Sequence, residues 1–130
     1  MYRLNIVKIE DDFVKKLTQT GALASFSGLH ENAQKILEGV RILRPKNIYA
    51  SIGLAITKIN ANELDDAIMI LQNWVLNVEP QNVSAKCYLG VALKYSDREN
   101  EGNKLFQEVI KSADEKNINE KNLATALLKK

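Results

Sequence analysis

Four groups of side chains in this 130-residue chain are of types that do chemistry: the single histidine His30, the single cysteine Cys87, and the carboxylate pairs Asp11-Asp12 and Asp65-Asp66. A histidine can serve as a general base or metal ligand, a cysteine as a nucleophile, and paired carboxylates as an acid and base couple. None of the four has the company its chemistry needs. His30 stands beside Gly28 at a turn, where a capping or solvent-exposed role fits it. Cys87 has no histidine near it, and with Tyr88 and Leu89 alongside it reads as a small half-buried apolar residue. One histidine and one cysteine do not make a zinc site. Both aspartate pairs fall in first helical turns, where the positive end of the helix dipole favours acids. The chain has no glycine-rich phosphate loop and no nucleophile elbow. We therefore expect no catalytic residue, no metal and no cofactor, and look for binding instead.

The elements that would position a binding surface are read from a repeat. Residues 47–82 spell two antiparallel helices with a tight turn at Asn60-Ala61-Asn62 and Pro80 after the second helix. Small residues return at nearly fixed intervals on both sides of this unit: Gly21, Ala55 and Gly90 are 34 and 35 apart, as are Ala33, Ala67 and Gly102. The turn positions Gly28, Asn62 and Asp97 keep the same step, as do the large apolar Leu37, Leu71 and Phe106, and Pro45 and Pro80 repeat at 35. A single extra residue falls late in each later spacing. Four series with one period and one phase indicate a helical repeat array. Within a unit, the first small residue lies 7 residues before the turn position and the second 5 after it. That places both where two antiparallel helices cross and need room for close approach.

In chain order, Asp11 or Asp12 caps a helix over residues 13–26 with Phe13, Leu17 and Leu23 on its buried side. A second helix runs over 30–43 through Ala33, Ile36, Leu37 and Val40 until Pro45 stops it. Asn47 caps the central pair, 49–59 and 64–78, and the third pair covers 83–95 and 98–113. Residues 120–130, with Leu123, Ala126 and Leu127 at helical spacing, form a last helix whose expected task is to cover the apolar end of the stack. Residues 1–10 alternate apolar and polar and are left unassigned. The whole chain, 1–130, reads as a single domain with units at about 14–46, 47–82 and 83–116 and a capping helix at about 119–129.

Leu54-Ala55 and Leu89-Gly90 in first helices, a turn residue seven later, Ala33 and Ala67 in second helices, a large apolar residue four beyond and a closing proline together resemble the tetratricopeptide repeat. The third unit departs from the pattern, with Gly102 in place of alanine and Glu115 near the proline position. The resemblance implies an all-α fold, a right-handed superhelix of three helical hairpins plus the C-terminal capping helix, with first helices lining a concave face. On that register the face carries Ala22 and Phe26 from unit one, Tyr49, Ile52 and Ile56 from unit two, and Cys87, Tyr88, Val91 and Tyr95 from unit three. The second helices already supply Ile36, Leu37, Ile68, Leu71, Leu105 and Val109 to the interior, so this apolar and aromatic strip is expected to be an exposed groove for a partner.

Composition fits. An apolar fraction of 45% and a charged fraction of 26% are those of an ordinary globular chain. A net charge of +2 supplies no field for nucleic acid or anionic membrane. No apolar run is long enough for a membrane span and the N-terminal sequence does not resemble a signal peptide, so a cytoplasmic, cysteine-poor protein is expected.

The groove lacks the Lys, Asn and Arg set with which some tetratricopeptide modules grip a chaperone C-terminus; Thr18, Ala22, Ile52, Ile56 and Cys87 stand there instead. An apolar groove suits an amphipathic helix of a protein client. A small three-unit array of this kind is similar to the tetratricopeptide chaperones of bacterial type III secretion, the needle-subunit and small Hrp-type proteins. The residues that carry this similarity are Gly28-Leu29 through Arg44-Pro45, Gly53-Leu54-Ala55 to Pro80, and Leu89-Gly90 to Leu93. That similarity implies a self-polymerising or secreted client kept soluble in the groove, a second small co-chaperone on the outside, and no enzymatic activity. A scaffold joining subunits of a larger assembly is the alternative, and a homo-oligomer remains open because an unfilled groove can accept a neighbour's terminal helix.

Overall fold

The computed structural model describes residues 16–17, 20–21, 24, 27–44 and 47–128. Its helices are α1 (His30–Leu43), α2 (Ile48–Asn60), α3, α4 (Val83–Lys94), α5 (Glu99–Ser112) and α6 (Ile118–Leu128), with a 3-10 turn Glu115–Asn117 before the last. Helix α3 is composite: α-helical Leu64–Met69, a π-helical turn Ile70–Val75 and a closing α-helical Leu76–Val78. Residues 16, 17, 20, 21 and 24 are helical as well, and every regular element among the described residues is a helix. The Asp11-Asp12 cap, Phe13, Leu23, Pro45 and the unassigned 1–10 lie outside the described residues.

The repeat period is written most plainly in the turns. Gly28, Asn62 and Asp97 all adopt left-handed backbone, with φ of 81°, 61° and 62°. In each turn the following residue, Leu29, Glu63 or Arg98, donates its N–H to the carbonyl five back, Ala24, Lys58 or Leu93, at 2.8, 2.8 and 2.9 Å. This closure satisfies carbonyls that the end of a helix would leave bare. The next helices are started by asparagine: Asn47 Oδ1 accepts from the Tyr49 N–H at 3.0 Å and Asn82 Oδ1 from the Ala85 N–H at 2.8 Å. Since left-handed backbone costs a residue with a Cβ roughly 1–2 kcal/mol unless it is Asn or Asp, Asn62→Val is expected to lower stability by about that amount in a urea titration. Asn62→Gly should leave stability level or raise it, and equal losses for both substitutions would argue against the turn geometry.

Small residues meet where helices cross. A Cβ on Gly21 would come within 2.8 Å of the Leu37 side chain, one on Gly90 within 2.7 Å of the Phe106 ring, and one on Gly102 within 2.7 Å of the Gly90 carbonyl oxygen. The last contact is backbone on backbone and explains the third unit's departure from alanine: α4 and α5 approach so closely that position 102 admits no methyl group. Ala33, Ala55 and Ala67 are fully buried at the corresponding places in the other units. The main core cluster joins Leu37 of α1 to Ile52, Leu54 and Ala55 of α2, Ala67, Ile68 and Leu71 of α3, and Ala85, Leu89 and Leu93 of α4. A second cluster joins Cys87 and Val91 of α4 and Phe106 and Val109 of α5 to Ala124 and Leu127 of α6.

The π-helical turn accounts for the irregularity of the period. Leu37 to Leu71 is 34 residues, whereas Pro45 to Pro80 and Asn47 to Asn82 are 35, so the extra residue falls between Leu71 and Pro80. That is where Ile70–Val75 replaces an α turn. A π turn holds one residue more than an α turn, so it absorbs the insertion without shifting the helices on either side.

Candidate partner-binding surface

Helices α2 and α4 are the first helices of their hairpins and run in the same direction, because each is antiparallel to the α3 between them. Helix α6 runs parallel to α4 as well. Ser84 donates to Glu120 at 2.8 Å near the start of both, and Lys94 Nζ donates to the Leu127 carbonyl at 2.6 Å near the end of both. Helix α6 thus lies where the first helix of a further unit would lie.

This side-by-side arrangement of first helices sorts the expected strip. Tyr49, at the start of α2, and Tyr95, just past the end of α4, are 69% and 59% exposed, at opposite ends of the helix pair. Ile56 and Tyr88 are half-buried and both pack on the margin of the main cluster. The exposure expected for Ile52, Cys87 and Val91 is corrected: all three are buried. Ile52 shares the main cluster with Ala85 and Leu89 of α4, and Cys87 and Val91 share the second with Ala124 and Leu127 of α6. On α2 and α4 the face that the register aimed at solvent is partly covered by the next parallel helix, α4 or α6. Ala22 and Phe26 lie outside the described residues.

Cys87 is further enclosed by its Sγ–H, 3.5 Å from the Glu120 carbonyl oxygen. Burial, reinforced by the Glu120 charge, pushes its thiol up to about 12. The same two influences, burial first and then the neighbouring Cys87 and Glu120, raise the Tyr88 phenol. For an acid whose folded pKa is raised, the stability contribution is complete below the unfolded pKa and is lost as pH rises toward the folded one. Cys87 therefore contributes a loss of stability only in alkali, above about pH 9, the thiol's ordinary range.

His30 opens α1, and its Nδ1 is buried without a hydrogen-bond partner among the described residues. It borders a shallow depression of about 300 Å³ made by one local run of chain, residues 28–32, with Glu31 exposed. Such a depression lacks the enclosure that acid and base work requires. Among the described residues no three His, Cys, Asp or Glu side chains are grouped to hold a metal ion, and no helix is long and apolar enough to cross a membrane.

One surface escaped the sequence reading. At the edge where α1 ends, α2 begins and α3 ends, a cavity of about 470 Å³ is lined by Arg41, Ile48, Asn73, Trp74 and Val78 among others. The Arg41 guanidinium carbon lies 4.0 Å from the centre of the Trp74 ring. The only hint in the sequence was the extra residue of the period, which falls in the turn that carries Trp74.

Stacked helical hairpins with periodic left-handed turns and small residues at their crossings define a tetratricopeptide-like array. The chain belongs to the HrpB1_HrpK family of bacterial type III secretion proteins, whose model matches residues 4–130. No curated protein matches it. Among solved structures it is similar to the crystal structure of the Yersinia enterocolitica type III secretion translocator chaperone SycD in an alternative dimer, with a TM-score of 0.77 and 16% identity. That match covers 91% of this chain and 90% of the other.

Proposed function

We propose that this type III secretion protein is a non-enzymatic chaperone that holds an amphipathic apolar segment of a client protein against its first helices. The observation that carries the reading is the pair of exposed aromatics, Tyr49 and Tyr95, bracketing half-buried Ile56 and Tyr88 on helices whose other faces already serve the core. A helical client segment laid across α2 and α4 would meet tyrosine at both ends and apolar side chains between, with anchors at helical spacing. Membership in a type III secretion family and the fold shared with a translocator chaperone support a secreted or self-polymerising client. Sequestering its apolar surface would stabilise the complex at roughly 25 cal/mol per Å² before ordering costs.

The test uses the exposed positions, because Ile56 and Tyr88 also pack on the core and changing them would confuse binding with folding. The chain is expressed with its neighbouring genes and the bound client identified by mass spectrometry. Tyr49→Asp combined with Tyr95→Asp is then expected to weaken client capture by about a hundredfold, as loss of two interface aromatics can, while the thermal melt stays in place. Undiminished capture would move the site elsewhere. The alternative is a scaffold, favoured by apolar exposure away from these helices, at Ile42 and Val78. A chaperone must meet its client in the cytoplasm before export, so cell fractionation separates the two: recovery in the envelope with stable machine components would favour the scaffold.

A further inference from the structure

The cavity beside Trp74 combines three features. The first is the π-helical turn, a rare conformation that recurs at functional sites, inserted at the residues that present Trp74. The second is an arginine whose ring contact is the one interaction found for it: among the described residues Arg41 has no carboxylate partner, and no acidic side chain lines the cavity. Stacking occupies the face of a guanidinium and leaves the N–H groups along its edge free, in the fork geometry that matches a carboxylate. The third is the surround. Ile48 and Val78 form an apolar wall, Asn73 and Asn77 supply amides, and Val78, 66% exposed, carries the apolar surface outward.

We propose that this α1–α2–α3 edge is a second docking site, for a protein segment that presents a carboxylate flanked by apolar side chains. The carboxylate pairs with the edge of Arg41, and an adjacent apolar side chain lies against Ile48 and Val78. Charge complementarity selects the occupant. A nucleic acid or an anionic lipid surface requires a cluster of cations to neutralise several phosphates, whereas among the described residues Arg41 is the one cation lining this cavity, set among apolar and amide side chains. The site is independent of the client surface proposed above and stands whether or not that reading holds.

Trp74 is the chain's one tryptophan, so its emission reports this site alone. The full chain is titrated with a short capped peptide centred on Leu-Asp-Leu and with its Leu-Asn-Leu and Leu-Lys-Leu counterparts. The Asp peptide is expected to give a saturable change that weakens with added salt. Binding should fall about tenfold for the Asn peptide and for Arg41→Gln, the loss of one charge-assisted pairing. Arg41→Lys, which keeps the charge without the fork, should fall between. Equal responses to the three peptides, no saturable response, or indifference to Arg41→Gln would overturn the proposal. Self-association abolished by Val78→Asp, with no response to any peptide, would give the face to a second copy and overturn it too.

Discussion

Phe106→Ala is expected to remove about 3–5 kcal/mol of stability, the usual cost of emptying a large, fully buried aromatic site. Phe106 has no exposed surface and sits in the cluster that ties α4, α5 and α6 together. Its neighbours have little freedom to close the void, because Gly90 and Gly102 already bring two backbones into contact beside it. A double-mutant cycle tests this geometry. Gly90→Ala alone forces a methyl group to within 2.7 Å of the ring, and it also approaches the Gly102 carbonyl at 3.2 Å. Overpacking of this kind costs roughly 1–3 kcal/mol, more than the roughly 1 kcal/mol that alanine gains over glycine within a helix. With the ring gone, most of the clash goes too, so the two costs should fall short of additivity by about 1–2 kcal/mol in urea melts. Strict additivity would mean that the ring and residue 90 do not touch.

Much of this architecture was legible because its determinants are local. Left-handed backbone at Gly28, Asn62 and Asp97 can be anticipated from residue type alone, and these turns fix the hairpins. Asn47 announces a helix start by the same logic and caps as expected. Gly102 was visible as a departure from alanine, but its cause, the Gly90 carbonyl of another helix, is a distance that no single stretch of sequence contains. The extra residue of the period was visible too. Its absorption by a π turn depends on the flanking helices being held in register by the core, which is a tertiary constraint.

The binding strip was legible in part, for a reason that Ile52, Cys87 and Val91 make plain. A helical register states which direction a side chain takes from its own axis and says nothing of how near the next parallel helix lies. Positions at the edge of the strip are the first to be covered when first helices pack side by side, and these three are buried while Tyr49 and Tyr95, at the helix ends, stay exposed. Arg41 and Trp74 went unread because they are 33 residues apart and meet only once α1 and α3 are packed.

Ending the chain after Ala113 is expected to release Cys87. In the full chain its thiol, pushed up from 9.0 to about 12, leaves about a thousandfold less thiolate at neutral pH than an ordinary cysteine, and Ellman's reagent should react with it correspondingly slowly. Helix α6 contributes to both causes of the shift: Ala124 and Leu127 share the buried cluster of Cys87 with Val91, Phe106 and Val109, and Glu120 adds the charge. Without α6 the thiol, Val91 and part of Phe106 face water, and the lost burial of Leu127, Leu123 and Ala124 should cost about 3–5 kcal/mol by area. The point substitution Leu127→Asp should accelerate the thiol reaction without shortening the chain, since an unpaired charge cannot remain in that cluster. A helix that only terminates an array would be needed for stability alone. One that lies where a further unit's first helix would lie also decides which residues of α4 a partner can reach. An equally slow thiol in both altered chains would show that α4 and α5 bury Cys87 by themselves and that α6 does not stand between this helix and solvent.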